Sequence, residues 1–280
     1  MAEGTRSRQH SADARYMLDN AGREASARFP AISATFDAGT IRHLQELGVG
    51  PGWHCLEVGG GGGSIAAWLA ARVAPTGHVL VTDIDTRFLE TLNLPGTEVR
   101  RHDVATDPLP EGTFDLVHSR LVLQHVELRE QALIRMISAL KPGGWFIDEE
   151  YDISVAPDPE VSPGEVLSQT HVAAARILEA HGADRRFGRR LFGRLRALGL
   201  VDVRAEGRTF MWPYGSAGAS LARANYEQLR SSLIAEGYLT PEQFDRDMHR
   251  FDNPDFLMPS PVLWAVSGRR PEHSPTLAKR

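Results

Sequence analysis

Two hydrophobic periods alternate along the first 150 residues. Short apolar runs of strand length are separated by stretches in which apolar residues recur every third or fourth position. Residues 1–14 are polar and read as a loosely attached arm. From Tyr16 to about Leu47 the pattern is helical, with Ile41, Leu44 and Leu47 in phase and Gly48 as a stop. After a Gly50-Pro51-Gly52 turn, Trp53 to Val58 reads as a strand running into five consecutive glycines, Gly59 to Gly63. Ser64 opens a helix that Pro75 and Gly77 close. A second strand, His78 to Thr82, ends at Asp83, and a short helical stretch carries Phe88, Leu89 and Leu92. Thr97 to His102 is a third strand ending at Asp103, and Phe114 to Ser119 a fourth. Glu127 to Leu140 is an amphipathic helix stopped by Lys141-Pro142-Gly143-Gly144, and Trp145 to Glu149 begins a fifth strand. Strands alternating with helices predict βαβ units and a mostly parallel sheet.

The second half is less regular. Pro157, Pro159 and Pro163 mark 152–163 as an irregular crossing segment. Val166 to His181 and Leu191 to Leu198 read as helices, and Leu200 to Phe210 as a strand. A helical insertion over about 219–250 precedes a last strand, Val262 to Ser267. The chain divides into an arm and helical lid, 1–48, and a main α/β domain, 49–280, in which 211–258 form an insertion over the substrate side.

Charge narrows the function classes. Thirty-one basic and 36 acidic residues give a net charge of -5. A dedicated nucleic-acid binder would carry a basic excess, so no nucleic-acid partner is expected. Neither a signal-peptide core near the N-terminus nor a run of membrane-spanning length stands out, and a cytoplasmic protein with no membrane partner is the expectation. An oligomer stays open. The one cysteine, Cys55, sits in an apolar run and reads as a buried thiol.

A strand that ends in glycines and opens a helix forms a cradle. Glycine turns sharply and lets a ligand approach without meeting a Cβ. A P-loop needs a lysine after the glycines, and none follows. A dinucleotide fingerprint, G-x-G-x-x-G/A, fails in both frames, because its last position falls on Ser64 or Ile65. A nicotinamide dehydrogenase is therefore disfavoured. What fits is an acid followed by alternating glycines: Glu57-x-Gly59-x-Gly61-x-Gly63.

Here the sequence resembles the class I S-adenosylmethionine-dependent methyltransferases, whose first motif has this form. Further features follow in order. Asp83 stands about 20 residues after the glycines, where the family's acid holds both ribose hydroxyls of the cofactor. Asp85 is a rival one register away. Ile84 would flank the adenine, and Asp103, with Val104, matches the aspartate that receives the adenine amino group. Phe114-Asp115-Leu116-Val117 through Ser119, then Leu123-Gln124-His125, match the fourth strand and its loop. Leu140-Lys141-Pro142-Gly143-Gly144 matches the turn before the fifth. Within the family the chain is most similar to bacterial small-molecule methyltransferases of the ubiquinone/menaquinone-biosynthesis type, including many from secondary metabolism. It departs from them in having Gly60 where cysteine is frequent.

The resemblance implies a Rossmann-like seven-stranded sheet flanked by helices, with S-adenosyl-L-methionine as cofactor and a small, partly apolar molecule as acceptor. It assigns Tyr16, Glu57, Gly59, Gly61, Gly63, Asp83, Ile84, Asp103, Val104, Ser119 and Gln124 to the cofactor, and lets Tyr16 and Arg28 close over its methionine end. O-methylation is placed slightly ahead of C- or N-methylation. The alternative is a protein that binds the cofactor without methylating, acting in a cyclisation or as a scaffold.

A base is needed only where the acceptor must lose a proton. His125 is the candidate base; as an ordinary histidine it would lose activity below about pH 6.5. Its rival reading is a cap on the helix starting near Glu127. His118, inside a strand, reads as a satisfied core residue. Asp148, Glu149, Glu150 and Asp152 form an acidic run in which Glu149 and Glu150 are candidate catalytic groups. The run could bind a cation or hold a divalent ion, but most such runs are solvated strand ends, and no metal is expected. Met211, Trp212, Tyr214, Tyr226, Phe244, Phe251, Phe256 and Met258 could line an apolar acceptor pocket.

Overall fold

The computed structural model of the chain describes residues 17–18, 25–154 and 168–272. The polar arm, Tyr16, most of the proline-bearing segment and residues 273–280 lie outside the described residues. Helix α1 (Ala25–Glu46) leads into β1 (His54–Val58), α2 (Ser64–Val73), β2 (His78–Asp83), β3 (Thr97–Arg101) and β4 (Phe114–Arg120). A single 3₁₀ turn, Leu123–His125, precedes α3 (Arg129–Ala139) and β5 (Leu140–Asp152). Then come α4 (Ser168–Ala180), α5 (Phe187–Ala197), β6 (Val201–Arg208), β7 (Met211–Pro213), α6 (Ala217–Ala235), α7 (Pro241–His249), β8 (Leu257–Pro259) and β9 (Val262–Arg269).

Seven strands form one sheet in the order β3-β2-β1-β4-β5-β9-β6. All neighbours are parallel except β9, which runs antiparallel to β5 and β6. Strands β1 and β2 are buried on both faces, and their near-continuous apolar sequences follow from that. Edge strand β3 is Thr-Glu-Val-Arg-Arg, mostly exposed, and its charges blunt the open edge. This is the Rossmann-like class I methyltransferase architecture expected. Strand order reverses between β1 and β4, so a crevice opens at their carboxyl ends.

The interior has three apolar clusters. Leu69, Val79, Val81 and Leu116 pack one sheet face under α2, and Leu133, Met136, Phe187 and Leu191 pack the other under α3 and α5. The third, with Phe36, Ile177, Leu233 and Phe244, belongs to a helical cap made of α1, α4, α6 and α7. The cap stands beyond the strand ends and roofs the crevice.

Three features differ from expectation. The stretch around Phe88 to Leu92 is a string of turns, closed by bonds such as Leu89 N to Thr86 O, and not a helix. The Leu94-Pro95-Gly96 break leaves too few residues to repay helix nucleation. The fifth strand already begins at Leu140, and the Lys141–Gly144 segment bulges out of it, because pairing jumps from Phe114↔Leu140 to Leu116↔Trp145. Strands β7 and β8 form a separate two-stranded ribbon whose members are too short to show a period-2 pattern.

Helix α5 tests the packing. Phe187 is fully buried and Phe192, on the same helix, is 36% exposed. In urea unfolding, Phe187→Ala is expected to cost about 3–5 kcal/mol. Phe192→Ala should stay within about 0.5 kcal/mol of the parent protein. Equal losses would contradict this placement of the helix.

A candidate cofactor and acceptor site

A cavity of about 660 Å³ fills the crevice, walled on one side by strand ends and on the other by the helical cap. The volume is within the range of sites that enclose a small-molecule ligand. The loop after β1 forms its floor. Gly59, Gly61 and Gly63 have φ of 72°, 52° and 78°, values that only glycine adopts without strain. Gly59 N and Gly60 N donate to Thr82 O, which clips the loop to the end of β2. A Cβ at Gly60 would stand 2.4 Å from Val81 Cγ1, so packing in this chain favours glycine at that position. Phe29 of α1 lies over Gly61 and Gly62 and closes the loop from above.

Asp83 ends β2 at the cavity wall. Its Oδ2 accepts from Gly61 N at 2.9 Å and its Oδ1 from Asp85 N at 3.0 Å. Each oxygen keeps a lone pair for a further donor. Burial pushes the Asp83 carboxyl above its ordinary value, against the pull of those backbone donors. Asp85 is absent from the lining and pairs with Arg87. Ile84, Asp103 and Val104 continue the wall, and Ile84 is 53% exposed.

Beneath the cavity a line of buried charges crosses the sheet. Glu57 and His118 sit opposite each other in the β1–β4 register. His118 Nδ1 lies 2.5 Å from Glu57 Oε2, and its Nε2 faces Glu149 Oε2 at 3.8 Å. Burial disfavours the charged imidazole, but these two carboxylates outweigh it and raise His118 to about 9. Burial would likewise raise Glu149, yet His118, Arg120 and Thr40 bring it down to about 2. Arg208 of β6 donates to Glu149 Oε1 at 3.1 Å, and Thr40 of α1 donates to Glu149 Oε2. Arg120 donates to Thr40 Oγ1 at 2.9 Å and Asp37 Oδ1 at 2.8 Å. His118 is thus a core residue, as expected, but a charged one.

Several sequence-derived assignments land elsewhere. Asp148, Glu149, Glu150 and Asp152 are buried rather than solvated. Alternation puts Glu149 on the His118 side and its neighbours on the other. Glu150 Oε1 accepts from Val122 N at 2.9 Å and from Leu123 N, so it shapes the loop after β4. Neither Glu149 nor Glu150 lines the cavity, which removes both from contact with an acceptor. Ser119 is fully buried and donates to Asp148 Oδ1 at 2.7 Å; it too stands outside the lining. Gly63 caps α2 behind the wall. Among the described residues, no group of three or more His, Cys, Asp or Glu is arranged to hold a metal ion.

His125 does line the cavity, beside Gln124. Helix α3 starts at Arg129, with Leu128 rather than His125 at its N-cap and no side-chain bond from that cap. Burial, with Arg28 and Arg129 nearby, lowers His125 to about 4. Gln124 Nε2, which can only donate, lies 3.1 Å from His125 Nε2 and occupies its acceptor nitrogen. The expected titration near pH 6.5 is therefore moved well into acid.

At the cap end, Trp212, Tyr226 and Met258 line the cavity. Phe244, Phe251 and Phe256 pack inside the cap, while Met211 and Tyr214 are exposed. Sequence reasoning missed the polar atoms here. Tyr151, Trp212, Asn225 and His102 line the cavity, and Tyr151 Oη, Trp212 Nε1, Asn225 Oδ1 and both ring nitrogens of His102 are buried atoms with no hydrogen-bond partner among the described residues. Trp212 carried a signal as an aromatic of the 211–258 insertion and His102 as the neighbour of Asp103; Tyr151 and Asn225 carried none. Arg28, 3% exposed, lines the cavity and donates to Gln228 Oε1 at 2.6 Å.

Residues 56–148 match a family model described as a methyltransferase domain. The chain is 35% identical over 117 residues to a ubiquinone/menaquinone biosynthesis C-methyltransferase of Laribacter hongkongensis, covering 39% of this chain and 47% of that one. It is 32% identical over 166 residues to methyltransferase str3 of Strobilurus tenacellus, covering 57% and 58% respectively. The chain thus spans about half the length of these curated relatives. The solved structure of Haemonchus contortus phosphoethanolamine N-methyltransferase 2, in complex with phosphomonomethylethanolamine and S-adenosylhomocysteine, superposes with a TM-score of 0.59. That match is 18% identical and covers 92% of this chain and 60% of the other, a likeness of fold.

The charge line makes a test with an unusual sign. Gly39 lies inside α1, and a Cβ there would fall 1.3 Å from Arg208 Nη1. Gly→Ala within a helix ordinarily stabilises by about 1 kcal/mol. Here Gly39→Ala is expected to expel Arg208 from Glu149 and destabilise by about 3 kcal/mol, the scale of a buried pair losing a partner. A stabilised Gly39→Ala protein in urea unfolding would show that the Arg208–Glu149 contact carries nothing.

Proposed function

Given that residues 56–148 are a class I S-adenosylmethionine-dependent methyltransferase domain, we propose that this protein transfers the methyl group of S-adenosylmethionine to a small, uncharged, largely apolar acceptor, at oxygen. The observation that carries this reading is the division of one cavity into two chemically different ends. The strand-end side offers Asp83 with lone pairs for ribose hydroxyls, Asp103 and the unpartnered His102 for the adenine, and Arg28 for a carboxylate. The donor set fits the cofactor. Bound there, the cofactor would supply a methyl group already activated by a sulfonium, leaving the chain to position the acceptor, exclude water and pass on the proton that a hydroxyl oxygen loses on methylation.

The cap side is different. Leu18, Ile32, Ala174, Leu178, Leu221 and Leu229 make it apolar. No residue that the cap contributes to the lining from α4, α6 or the β7–β8 ribbon is acidic or basic at neutral pH; His171 is a histidine whose ring burial keeps uncharged. A cationic acceptor would find no counter-charge there among the described residues.

Titration calorimetry with S-adenosylhomocysteine tests the cofactor half. Asp83→Ala is expected to weaken binding by about 2–3 kcal/mol, the scale of lost charge-assisted hydrogen bonds. Asp85→Ala should weaken it far less. No binding to the parent protein at millimolar ligand, or the reverse order of the two variants, would overturn the assignment.

A further inference from the structure

The cap end of the cavity contains a polar pair that the reading above leaves without a task. His171 of α4 and Tyr226 of α6 both line the cavity, and both are more than nine-tenths buried. His171 Nδ1 lies 3.1 Å from Tyr226 Oη. The Ile153 backbone favours the charged ring, and burial opposes it more strongly. In the tautomer with hydrogen on Nε2, Nδ1 accepts and Tyr226 donates its hydroxyl hydrogen to it. That leaves the lone pairs of Tyr226 Oη as a hydrogen-bond acceptor in an apolar chamber.

The surroundings support this polarity. Burial, then Arg185, lowers His171 from its ordinary value, so it stays neutral and keeps an acceptor nitrogen. Burial, then Asp247 of α7, raises Tyr226 far above the ordinary tyrosine value, so it keeps its proton. Phe251 packs against the Tyr226 ring, with centroids 6.4 Å apart, and limits its movement. Nearby, Tyr151 Oη and Trp212 Nε1 are buried donors with no partner among the described residues. Buried donors without acceptors are costly in a finished core, and an oxygen-bearing ligand would satisfy them.

We propose that Tyr226 is the binding site for the acceptor's hydroxyl, that His171 carries its hydrogen on Nε2 and is the positioning residue that keeps Tyr226 turned to accept that hydrogen, and that the acceptor is a neutral phenol or alcohol on an apolar frame. The hydroxyl donates to Tyr226 Oη, and the lone pairs of its own oxygen stay free. This rests on the methyltransferase reading, because it places the acceptor beside the cofactor's end of the same cavity. It assigns recognition to a pair on two helices of the cap, and gives His125 no part in it.

The test is a binding measurement on protein loaded with S-adenosylhomocysteine, using the fluorescent probes 2-naphthol and 2-methoxynaphthalene. They share a frame, and only the first can donate a hydrogen. The parent protein is expected to prefer 2-naphthol about tenfold, the scale of one buried hydrogen bond. Tyr226→Phe and His171→Ala should each cut the preference below about twofold, and His171→Gln, which keeps an acceptor, should restore part of it. Affinity for 2-methoxynaphthalene and for S-adenosylhomocysteine should stay within about threefold in all variants, which a disrupted cap would not allow. No binding of 2-naphthol, equal binding of the two probes, or a preference that survives Tyr226→Phe would overturn the proposal. Failure to bind S-adenosylhomocysteine would strike the cofactor reading instead, and is seen in a separate titration.

Discussion

A protonated histidine held between two carboxylates beneath the cavity is the contact on which the site depends. Glu57, His118 and Glu149 come from three neighbouring strands, and only the parallel register of β1, β4 and β5 brings them together. Glu57 is two residues before Gly59, so its anchoring fixes where the glycine loop leaves the sheet. Glu149 is reached from two further elements, by Thr40 of α1 and Arg208 of β6. Lid helix, loop and far sheet edge are thus joined through one buried imidazole. Such a network is not by itself evidence of high stability, since desolvation offsets much of its attraction. Its removal piece by piece is costly, because each loss strands a buried charge. With a folded-state value raised to about 9 from 6.5, the contribution of His118 to stability is fully present below about pH 6.5 and lost as pH rises through 9.

The same network explains why the acidic run of β5 does no chemistry at the cavity wall. Strand alternation commits Glu149 to His118 and Arg208, and Glu150 to the amides of Val122 and Leu123. The loop those amides belong to carries Gln124 and His125 into the cavity. Glu149 and Glu150 of β5 therefore act one layer below the cavity, the first through His118 and the second through the loop after β4. Burial, and then Asp148, pushes Glu150 well above the usual carboxylate range, as a group placed for hydrogen bonding rather than for charge. The walls above belong to the cap, whose apolar core is separate from those of the sheet.

Much of the strand-end half was legible in the sequence. Apolar runs placed the strands of the sheet, and the acid–glycine spacing from Glu57 placed the cradle. Asp83 was separable from Asp85 because Val79 and Val81 set the alternation up to the strand end. The cap half was less legible. Aromatic composition over 211–258 could not distinguish Trp212 and Tyr226, which reach the cavity, from Phe244 and Phe251, which pack inside. The tertiary packing of the cap makes that choice. The pairing of His171 with Tyr226 spans 55 residues and leaves no local signal. His125 was misread in its titration because the lowering comes from Arg28, far away in the chain, as well as from burial. Charge in a β-strand reads as an exposed end until the partners across the sheet are known, which is why the β5 acids were expected in solvent.

The claim that a buried imidazolium joins the cradle to the lid is tested most directly at the His118 ring itself. Heteronuclear NMR of the histidine ring nitrogens reports protonation residue by residue, with His118→Gln identifying the signal. The account predicts that at about pH 7 both His118 nitrogens carry hydrogen, and that the ring titrates near 9. A neutral His118 ring at about pH 7 would contradict it.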